Sequence, residues 1–206
     1  RTGTPLFTSM LASPVLMSFL GHYLTQTLAE TTSIHGVFLE VLGTGVLIKG
    51  DAGVGKSELA LELITRGHRL VADDVVDLKH VAPKTLEGIC PPLIRDFLEV
   101  RGLGILNIRV LFGEMAVKPQ KNLKLIVELV HPQEIGEVSL NRLDMVASTE
   151  TILGVAIPKG RIPVAAGRNL AVLVEVAVRN HRLKRRGINP VEQFIKRQQA
   201  AIDGNG

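Results

Sequence analysis

The fold class of this chain is decided by one glycine-rich stretch, Gly50-Asp51-Ala52-Gly53-Val54-Gly55-Lys56-Ser57. It matches the pattern G-x-x-x-x-G-K-[ST] in full, and a chance match in a chain of this size has a probability of about one per cent. Glycines permit the backbone that points successive N–H groups at phosphate oxygens, and the N-terminus of the following helix adds its dipole. In such a loop Lys56 reaches the β and γ phosphates and the Ser57 hydroxyl binds Mg²⁺. The stretch therefore predicts a nucleotide-binding P-loop.

The segments on either side of this stretch have the patterns of a strand and a helix. Gly45–Lys49 is an apolar run typical of a buried strand, and Lys56–Thr65 carries leucines at helical spacing before Gly67 ends it. The alternation along the chain predicts an α/β fold class, with a P-loop-containing mixed sheet core flanked by helices. Other predicted helices are Pro14–Ala29, Asn169–Arg186 and Pro190–Ile202. Other predicted strands are Gly36–Leu42, Arg69–Ala72, Val75–His80, Leu123–Val130, Thr149–Ala156 and Ile162–Ala165.

Composition is that of a folded domain with an aliphatic core. Hydrophobic residues make up 46% and charged residues 21% of the 206 residues, whereas aromatic residues make up only 3%. The single cysteine, Cys90, excludes an internal disulfide framework and a multi-cysteine metal site. No run resembles a spanning helix or a signal peptide, so we expect no membrane association. Because the chain starts at Arg1 rather than Met, we expect it to be a fragment of a longer protein.

The positive charge is concentrated near the C-terminus. The formal net charge is +4, but Arg179–Arg197 holds seven basic residues and one acidic residue, a local +6, which leaves 4 − 6 = −2 for the other residues. A slightly acidic body with one basic segment does not suit a surface that wraps nucleic acid, and Phe194 is the only aromatic residue near it. We interpret the segment either as a solvated helical face or as a docking surface for a protein substrate or a neighbouring subunit.

A pair of carboxylates follows the predicted strand Leu70-Val71-Ala72. Asp73 and Asp74 resemble the acidic end of the second motif of P-loop enzymes, yet they come unusually soon after Ser57. Near a polyphosphate and a metal, one carboxylate can assist the placement of metal and water while the other accepts a hydroxyl proton. The alternative is that the pair forms a solvated acidic turn between two strands. The presence of the glycine-rich stretch favours the functional interpretation over this alternative.

Several motifs in order along the chain resemble one family. They are Thr32-Ser33-Ile34-His35-Gly36, the loop GDAGVGKSE, Arg66-Gly67-His68-Arg69-Leu70-Val71-Ala72-Asp73-Asp74, Leu98-Glu99-Val100-Arg101-Gly102-Leu103-Gly104-Ile105-Leu106-Asn107 and Pro163-Val164-Ala165-Ala166-Gly167-Arg168-Asn169-Leu170-Ala171. Together they resemble the C-terminal catalytic domain of HPr kinase/phosphorylase. The resemblance implies that residues 1–206 are that domain, with residues 1–30 as a helix and linker after a separate N-terminal domain and residues 169–206 as C-terminal helices.

The resemblance also implies a fold and an activity. The nucleotide-binding core of the family is similar to that of phosphoenolpyruvate carboxykinase. Members phosphorylate a serine of HPr, the phosphocarrier of the sugar phosphotransferase system, with ATP or pyrophosphate and Mg²⁺. They also act as phosphorylases, in which inorganic phosphate attacks phosphoserine-HPr and pyrophosphate is released. The implied assembly is a cytoplasmic homohexamer that binds HPr and phosphoserine-HPr and binds neither nucleic acid nor a membrane.

Residue roles follow from the matching motifs. Asp74 corresponds to the base of the kinase direction and the acid of phosphorolysis, and one carboxyl serves both directions by microscopic reversibility. Lys56 and Ser57 keep their loop roles, and Glu99 matches a second metal ligand. Asp73 and Arg101 lie in the same motifs and are expected at the site.

Three further positions complete the implied site. His35 aligns with an active-site histidine, and Arg142 matches a catalytic arginine that could neutralise transferring phosphoryl oxygens. Arg168 lies in a loop tied to phosphorolysis and is expected to bind phosphate. Many members have P-V-R-P-G-R in that loop, whereas this chain has Ala165 and Ala166, so one possible phosphate-binding guanidinium is missing.

Two other functions fit the same residues. One is a P-loop kinase of another protein or of a small hydroxyl substrate, with the aspartate pair in the same chemistry. The other is a nucleotide-sensing regulatory module without turnover, in which the carboxylates only hold metal. Transfer of label from ATP to HPr, transfer to another acceptor, and binding without transfer distinguish the three.

Overall fold

The computed structural model describes residues 3, 5, 7–131 and 148–203 and confirms a mixed α/β fold. The helices are α1 Ser13–Leu28, α2 Lys56–Thr65, α3 Ile108–Phe112, α4 Leu170–Arg185 and α5 Pro190–Asp203, with 3₁₀ turns at Pro92–Ile94 and Glu114–Ala116. The strands are β1 Thr31–His35, β2 Val37–Val41, β3 Thr44–Lys49, β4 Arg69–Ala72, β5 Val75–Ala82, β6 Thr85–Ile89, β7 Phe97–Val100, β8 Gly104–Asn107, β9 Gln120–Val130, β10 Ser148–Ile152 and β11 Val155–Pro163.

The long strand β9 organises the main sheet. Its first residues pair antiparallel with β6, its middle pairs parallel with β3, and its last residues pair parallel with β11. The order β1-β5-β6-β9-β3-β2-β4 completes the sheet, with β10 beside β11, while β7 and β8 form a separate hairpin. Since β3, β9 and β11 are parallel, their carboxyl ends meet at one edge, and the glycine-rich loop leaves β3 at that edge.

The core lies on both faces of this sheet. One cluster packs α2 and α4 against the strands, and a second lies on the opposite face around Phe38. Phe38 is the one aromatic residue among the buried hydrophobic residues of the described chain, which confirms the expected aliphatic core. Glu175 on α4 joins the two helices, because its carboxylate accepts hydrogen bonds from Arg66, at the end of α2, and contacts His68 at 2.9 Å. The scaffold therefore fixes α2, the helix that follows the glycine-rich loop.

Two strand predictions were wrong in their bounds. Thr149–Ala156 is not one strand, because Leu153 and Gly154, with φ of 46° and 74°, turn the chain between β10 and β11. Positive φ at both central residues is the geometry of a tight hairpin turn. The strand expected at Ile162–Ala165 is the end of β11, which stops at Pro163.

The N-terminal helix α1 makes few contacts with the rest of the fold. Its bounds agree with the predicted Pro14–Ala29 to within one residue, yet Met17 and Tyr23 are 72% and 63% exposed. Among the described residues, no helix is both long and apolar enough to cross a membrane.

A buried histidine on α4 makes the fold sensitive to acid. His181 is 6% exposed, its Nε2 has no hydrogen-bond partner within the described chain, and Lys184, Arg185 and Lys124 add positive charge around it. Burial first, and these cations second, lower the pKa of His181 below its ordinary value of 6.5. The unfolded chain therefore takes up this proton at a higher pH than the folded chain does, and stability falls as the pH drops through about 6.5.

Between about pH 7.5 and about pH 5.5 we expect the wild-type protein to lose more stability than His181→Leu. Leucine cannot take up the proton, and it also removes the unpaired polar atom. Urea unfolding at the two pH values, compared between the two proteins, measures the difference and cancels the effect of the other histidines. Equal losses in the two proteins would contradict the assignment to His181.

Candidate active site

The glycine-rich loop, Gly50–Gly55, joins β3 to α2 through backbone that only glycine suits. Gly50 has φ of 146°, and a Cβ there would lie 2.6 Å from the carbonyl oxygen of Leu129. Gly55 has φ of 100° and is the N-cap of α2. Between them Val54 turns inward and is 7% exposed, so it anchors the loop to the core. The first N–H groups of α2, which have no partner within the helix, therefore face the space above the loop.

Lys56 folds back over this loop. Its Nζ donates hydrogen bonds to the carbonyl oxygens of Gly50 and Asp51, both at 2.8 Å. Ser57 follows in the first turn of α2 and is half-buried. An ammonium group and a hydroxyl group thus stand together at a helix N-terminus, an arrangement that favours anions.

The two aspartates form a strained turn between β4 and β5. The N–H of Val75 donates to the carbonyl oxygen of Asp73 at 2.8 Å, which closes a three-residue turn with Asp74 at its centre. Asp74 has φ of 64°, a left-handed value that is rare outside glycine and is typical of a γ-turn. The N–H of Gly36 holds the carbonyl oxygen of Asp74 at 3.0 Å. Strained backbone of this kind is concentrated at functional sites.

The carboxylates of this turn have different surroundings. The Asp74 side chain is 79% exposed and lies 3.7 Å from Nδ1 of His35, a residue that ends β1 and is 85% exposed. Asp73 is 8% exposed, and its Oδ2 accepts a hydrogen bond from the N–H of Glu99 at 3.0 Å. Asp74 and His35 are therefore open to a reactant, whereas Asp73 points into the protein.

Burial raises the pKa of the Asp73 carboxyl above its ordinary value. The N–H groups of Glu99 and Asp74 oppose this rise, and the charges of their carboxylates add to it. The neighbouring Cys90 is also buried, and burial raises the pKa of its thiol to about 11, so the sulfur is a neutral thiol rather than a nucleophile.

The hairpin of β7 and β8 forms another wall. Glu99 lies on the exposed face of β7, and Arg101 follows in the turn. The guanidinium of Arg101 lies against the loop at Gly53, where a Cβ would come within 3.0 Å of its Nη2. Because Gly53 has no side chain, there is room for the Arg101 guanidinium beside the loop.

These elements enclose one cavity of about 450 Å³ at the carboxyl edge of the sheet. It brings together most of the predicted site residues, namely His35, Gly50, Ala52, Gly53, Gly55, Lys56, Ser57, Asp73, Asp74, Glu99 and Arg101. Three residues that the sequence did not single out also line it: Gly36, Val37 and Glu58. Glu58 directly follows Ser57 in the quoted motif, and Gly36 directly follows His35. Their position next to predicted site residues is the sequence signal that could have identified them.

Three predicted site residues of the described chain do not line this cavity. Val54 is buried beneath the loop, and the Asp51 side chain is exposed beside it. Arg168 lies on the exposed turn between β11 and α4, where its N–H donates to Ala165 at 3.2 Å. Arg142 lies outside the described residues.

The fold and this cavity define an α/β protein with a polar pocket at the carboxyl edge of a mixed sheet. The model of the HPr serine kinase C-terminal domain family matches residues 26–198. The chain belongs to this family, which confirms the resemblance drawn from the motifs.

Named relatives agree with this assignment. The HPr kinase/phosphorylase of Chromobacterium violaceum is 59% identical over 193 residues, which are 94% of this chain and 61% of that protein. The HPr kinase/phosphorylase of Nitrosomonas europaea is 57% identical over 201 residues, 98% of this chain and 62% of that protein. The chain thus spans about three fifths of the length of these curated relatives.

A solved structure has the same fold. The structure of the Hpr(Ser) kinase/phosphatase from Coxiella burnetii matches with a TM-score of 0.72 and 42% sequence identity. The match covers 79% of this chain and 98% of that one.

Proposed function

We propose that this chain is the catalytic domain of a bifunctional enzyme, a protein-serine kinase and phosphoserine phosphorylase that acts on HPr. The observation that carries the proposal is the cavity in which Lys56 and Ser57 face Asp74, His35 and Glu99. A phosphate-binding loop opposite an exposed carboxylate is what phosphoryl transfer to a hydroxyl group requires. The relatives named HPr kinase/phosphorylase support HPr as the acceptor.

In this proposal Gly50–Ser57 binds ATP or pyrophosphate as a P-loop. The backbone N–H groups of the loop and of the first turn of α2 bind phosphate oxygens, and Lys56 exchanges its contacts with the carbonyl oxygens of Gly50 and Asp51 for the β and γ phosphates. The mixed sheet behind the loop is consistent with a core similar to that of phosphoenolpyruvate carboxykinase. Arg101, beside Gly53, adds a further positive charge near the phosphates.

The donor atoms of the cavity fit Mg²⁺. Ser57 and Glu99 offer hydroxyl and carboxylate oxygens, the ligands that Mg²⁺ prefers. No group of three or more His, Cys, Asp or Glu residues that could hold a metal occurs in the described part of the chain. Mg²⁺ binds proteins through one or two side chains and takes its other ligands from phosphates and water, so Ser57 and Glu99 are sufficient protein ligands. When bound, Mg²⁺ would supply positive charge against the transferring phosphoryl group.

In the kinase direction, Asp74 accepts the proton of the acceptor serine. The serine oxygen forms a bond to the γ-phosphorus, the bond from that phosphorus to its bridging oxygen breaks, and ADP leaves. His35 lies 3.7 Å from the Asp74 carboxylate and is suited to orient it. Lys56 and, by the family resemblance, Arg142 neutralise the phosphoryl oxygens.

In the phosphorylase direction the same groups act in reverse. An oxygen of inorganic phosphate attacks the phosphorus of phosphoserine, the bond to the serine oxygen breaks, and Asp74 returns its proton to that oxygen. Pyrophosphate is the product. Arg168 binds phosphate in this proposal, at the same edge of the sheet as the cavity, and Ala165 and Ala166 reduce the number of cations available there.

The proposed cellular location follows from the substrates, and the proposed assembly follows from the family. A reaction that consumes ATP and acts on a phosphocarrier of sugar uptake belongs in the cytoplasm, and we propose a homohexamer there, as in the family. The basic segment Arg179–Arg197, on α4 and α5, is a candidate docking surface for HPr or for a neighbouring subunit.

Labelled ATP, Mg²⁺ and HPr test the proposal directly. We expect the label on a serine of HPr, none on an HPr variant without its acceptor serine, and release of pyrophosphate when phosphate is added to phosphoserine-HPr. Binding of ATP without transfer, or transfer only to another acceptor, would overturn it.

A further inference from the structure

Asp73 is the one buried carboxylate of the cavity, and the proposed reaction leaves it without a role. Its side chain is nearly enclosed at 8% exposure, while that of its neighbour Asp74 is 79% exposed. A group that accepts a proton from a protein substrate must be reachable, so Asp74 is suited to that task and Asp73 is not.

A hydrogen bond of the Asp73 side chain connects two walls of the cavity. Its Oδ2 accepts from the N–H of Glu99 at 3.0 Å, across 26 residues of sequence. The bond joins the end of β4, next to the turn whose centre is Asp74, to β7. A charged acceptor makes such bonds stronger than a neutral one does.

The backbone of Asp73 is fixed from both sides as well. Its carbonyl oxygen accepts a hydrogen bond from the N–H of Val75, and the residue directly follows the buried strand β4. Because this backbone is fixed, the Asp73 carboxylate can hold Glu99 at a set distance from Asp74. Glu99 lies on a hairpin that belongs to a different sheet.

We infer that Asp73 is a positioning residue, whose carboxylate fixes Glu99 relative to Asp74 and so aligns the proposed metal ligand with the proposed base. The inference rests on the proposed function for the roles of Glu99 and Asp74. Its geometric basis, the bond between the Asp73 carboxylate and the Glu99 N–H, is independent of the substrate.

The test compares Asp73→Ala with Asp73→Asn. Asparagine keeps an oxygen of similar position that accepts the N–H of Glu99, whereas alanine has no acceptor. For Asp73→Ala we expect kcat for HPr phosphorylation to fall about 100-fold and the half-saturating Mg²⁺ concentration to rise about tenfold, the range found for residues that orient metal ligands. Asp73→Asn should restore both values to within about threefold of wild type. Metal-free ATP affinity should change less than about threefold in either variant, since the loop contacts remain.

A direct measurement of metal binding separates positioning from loss of folded protein. Mn²⁺, a paramagnetic substitute for Mg²⁺, is titrated in the presence of a non-hydrolysable ATP analogue and followed by electron paramagnetic resonance. Asp73→Ala should bind Mn²⁺ about tenfold more weakly than wild type. A merely structural effect would lower the number of competent sites and leave their affinity unchanged. If Asp73→Ala does not fold, Asp73→Ser replaces it, because a serine hydroxyl is too short to reach the Glu99 N–H.

The outcomes distinguish the inference from the proposed function. Wild-type Mn²⁺ affinity in Asp73→Ala or Asp73→Ser, or an Asp73→Asn variant as impaired as Asp73→Ala, would overturn the positioning role. If the wild-type protein fails to phosphorylate HPr, the proposed function falls, and the Mn²⁺ titration still decides whether Asp73 aligns Glu99.

Discussion

Asp74→Asn should reduce both phosphorylation of HPr and phosphorolysis of phosphoserine-HPr by about 10³-fold, because general acid–base catalysis contributes about 10² to 10⁴. The amide cannot accept the serine proton in one direction or return it in the other. Asparagine is the informative replacement because, with aspartate, it tolerates the left-handed backbone that Asp74 adopts at φ of 64°. Alanine would add backbone strain and confuse the loss of the base with a distorted turn.

Steady-state rates in both directions, with ATP affinity from calorimetry, measure this prediction. ATP affinity should stay within about threefold of wild type, since the phosphate contacts come from the loop. Asp77→Asn is the matched control, because Asp77 is on the following strand and pairs with Ser33. It should leave both rates within about twofold. Transfer by Asp74→Asn within about tenfold of wild type would show that another group takes the proton.

The sequence predicted those parts of the fold whose signals are local. Helix α2 runs over Lys56–Thr65, as predicted, because the loop pattern determines where it begins and Gly67 determines where it ends. Strands β1 and β6 were missed for identifiable reasons. Thr31–His35 is a polar edge strand with alternately exposed residues, and Thr85–Ile89 contains Gly88, whose missing side chain makes room for the ring of Phe38.

The same distinction applies to the site. The motifs identified Lys56, Ser57, Asp74 and Glu99, and the structure brings all of them to one cavity. The arrangement of that cavity depends on contacts between segments distant in sequence, such as the Asp73 carboxylate with the Glu99 N–H. Neither residue type nor spacing indicates that bond. The sequence could therefore predict which groups are present but not which aspartate is exposed and which is buried.

Lys56→Ala should weaken binding of ATP about 100-fold and of pyrophosphate by a similar factor. A hydrogen bond to a charged group contributes about 1.5–3 kcal/mol, and the Lys56 ammonium can donate to two phosphates at once. The variant also loses the two hydrogen bonds that hold the carbonyl oxygens of Gly50 and Asp51, so the loop itself becomes less ordered. The two ligands should lose affinity by similar factors, because Lys56 binds the phosphate groups that they share and the contacts of the ATP base and ribose contribute equally to both proteins.

Calorimetric titration with each ligand measures the two affinities. Lys84→Asn provides the control for loss of one positive charge, because Lys84 is exposed on the turn between β5 and β6, and asparagine suits its φ of 61°. That variant should bind both ligands as wild type does, since an exposed charge far from the loop is screened by salt. Unchanged affinity in Lys56→Ala would remove the basis for a P-loop at Gly50–Ser57. An equal loss in both variants would instead assign the effect to net charge, which acts at long range, rather than to the contacts that Lys56 makes within the loop.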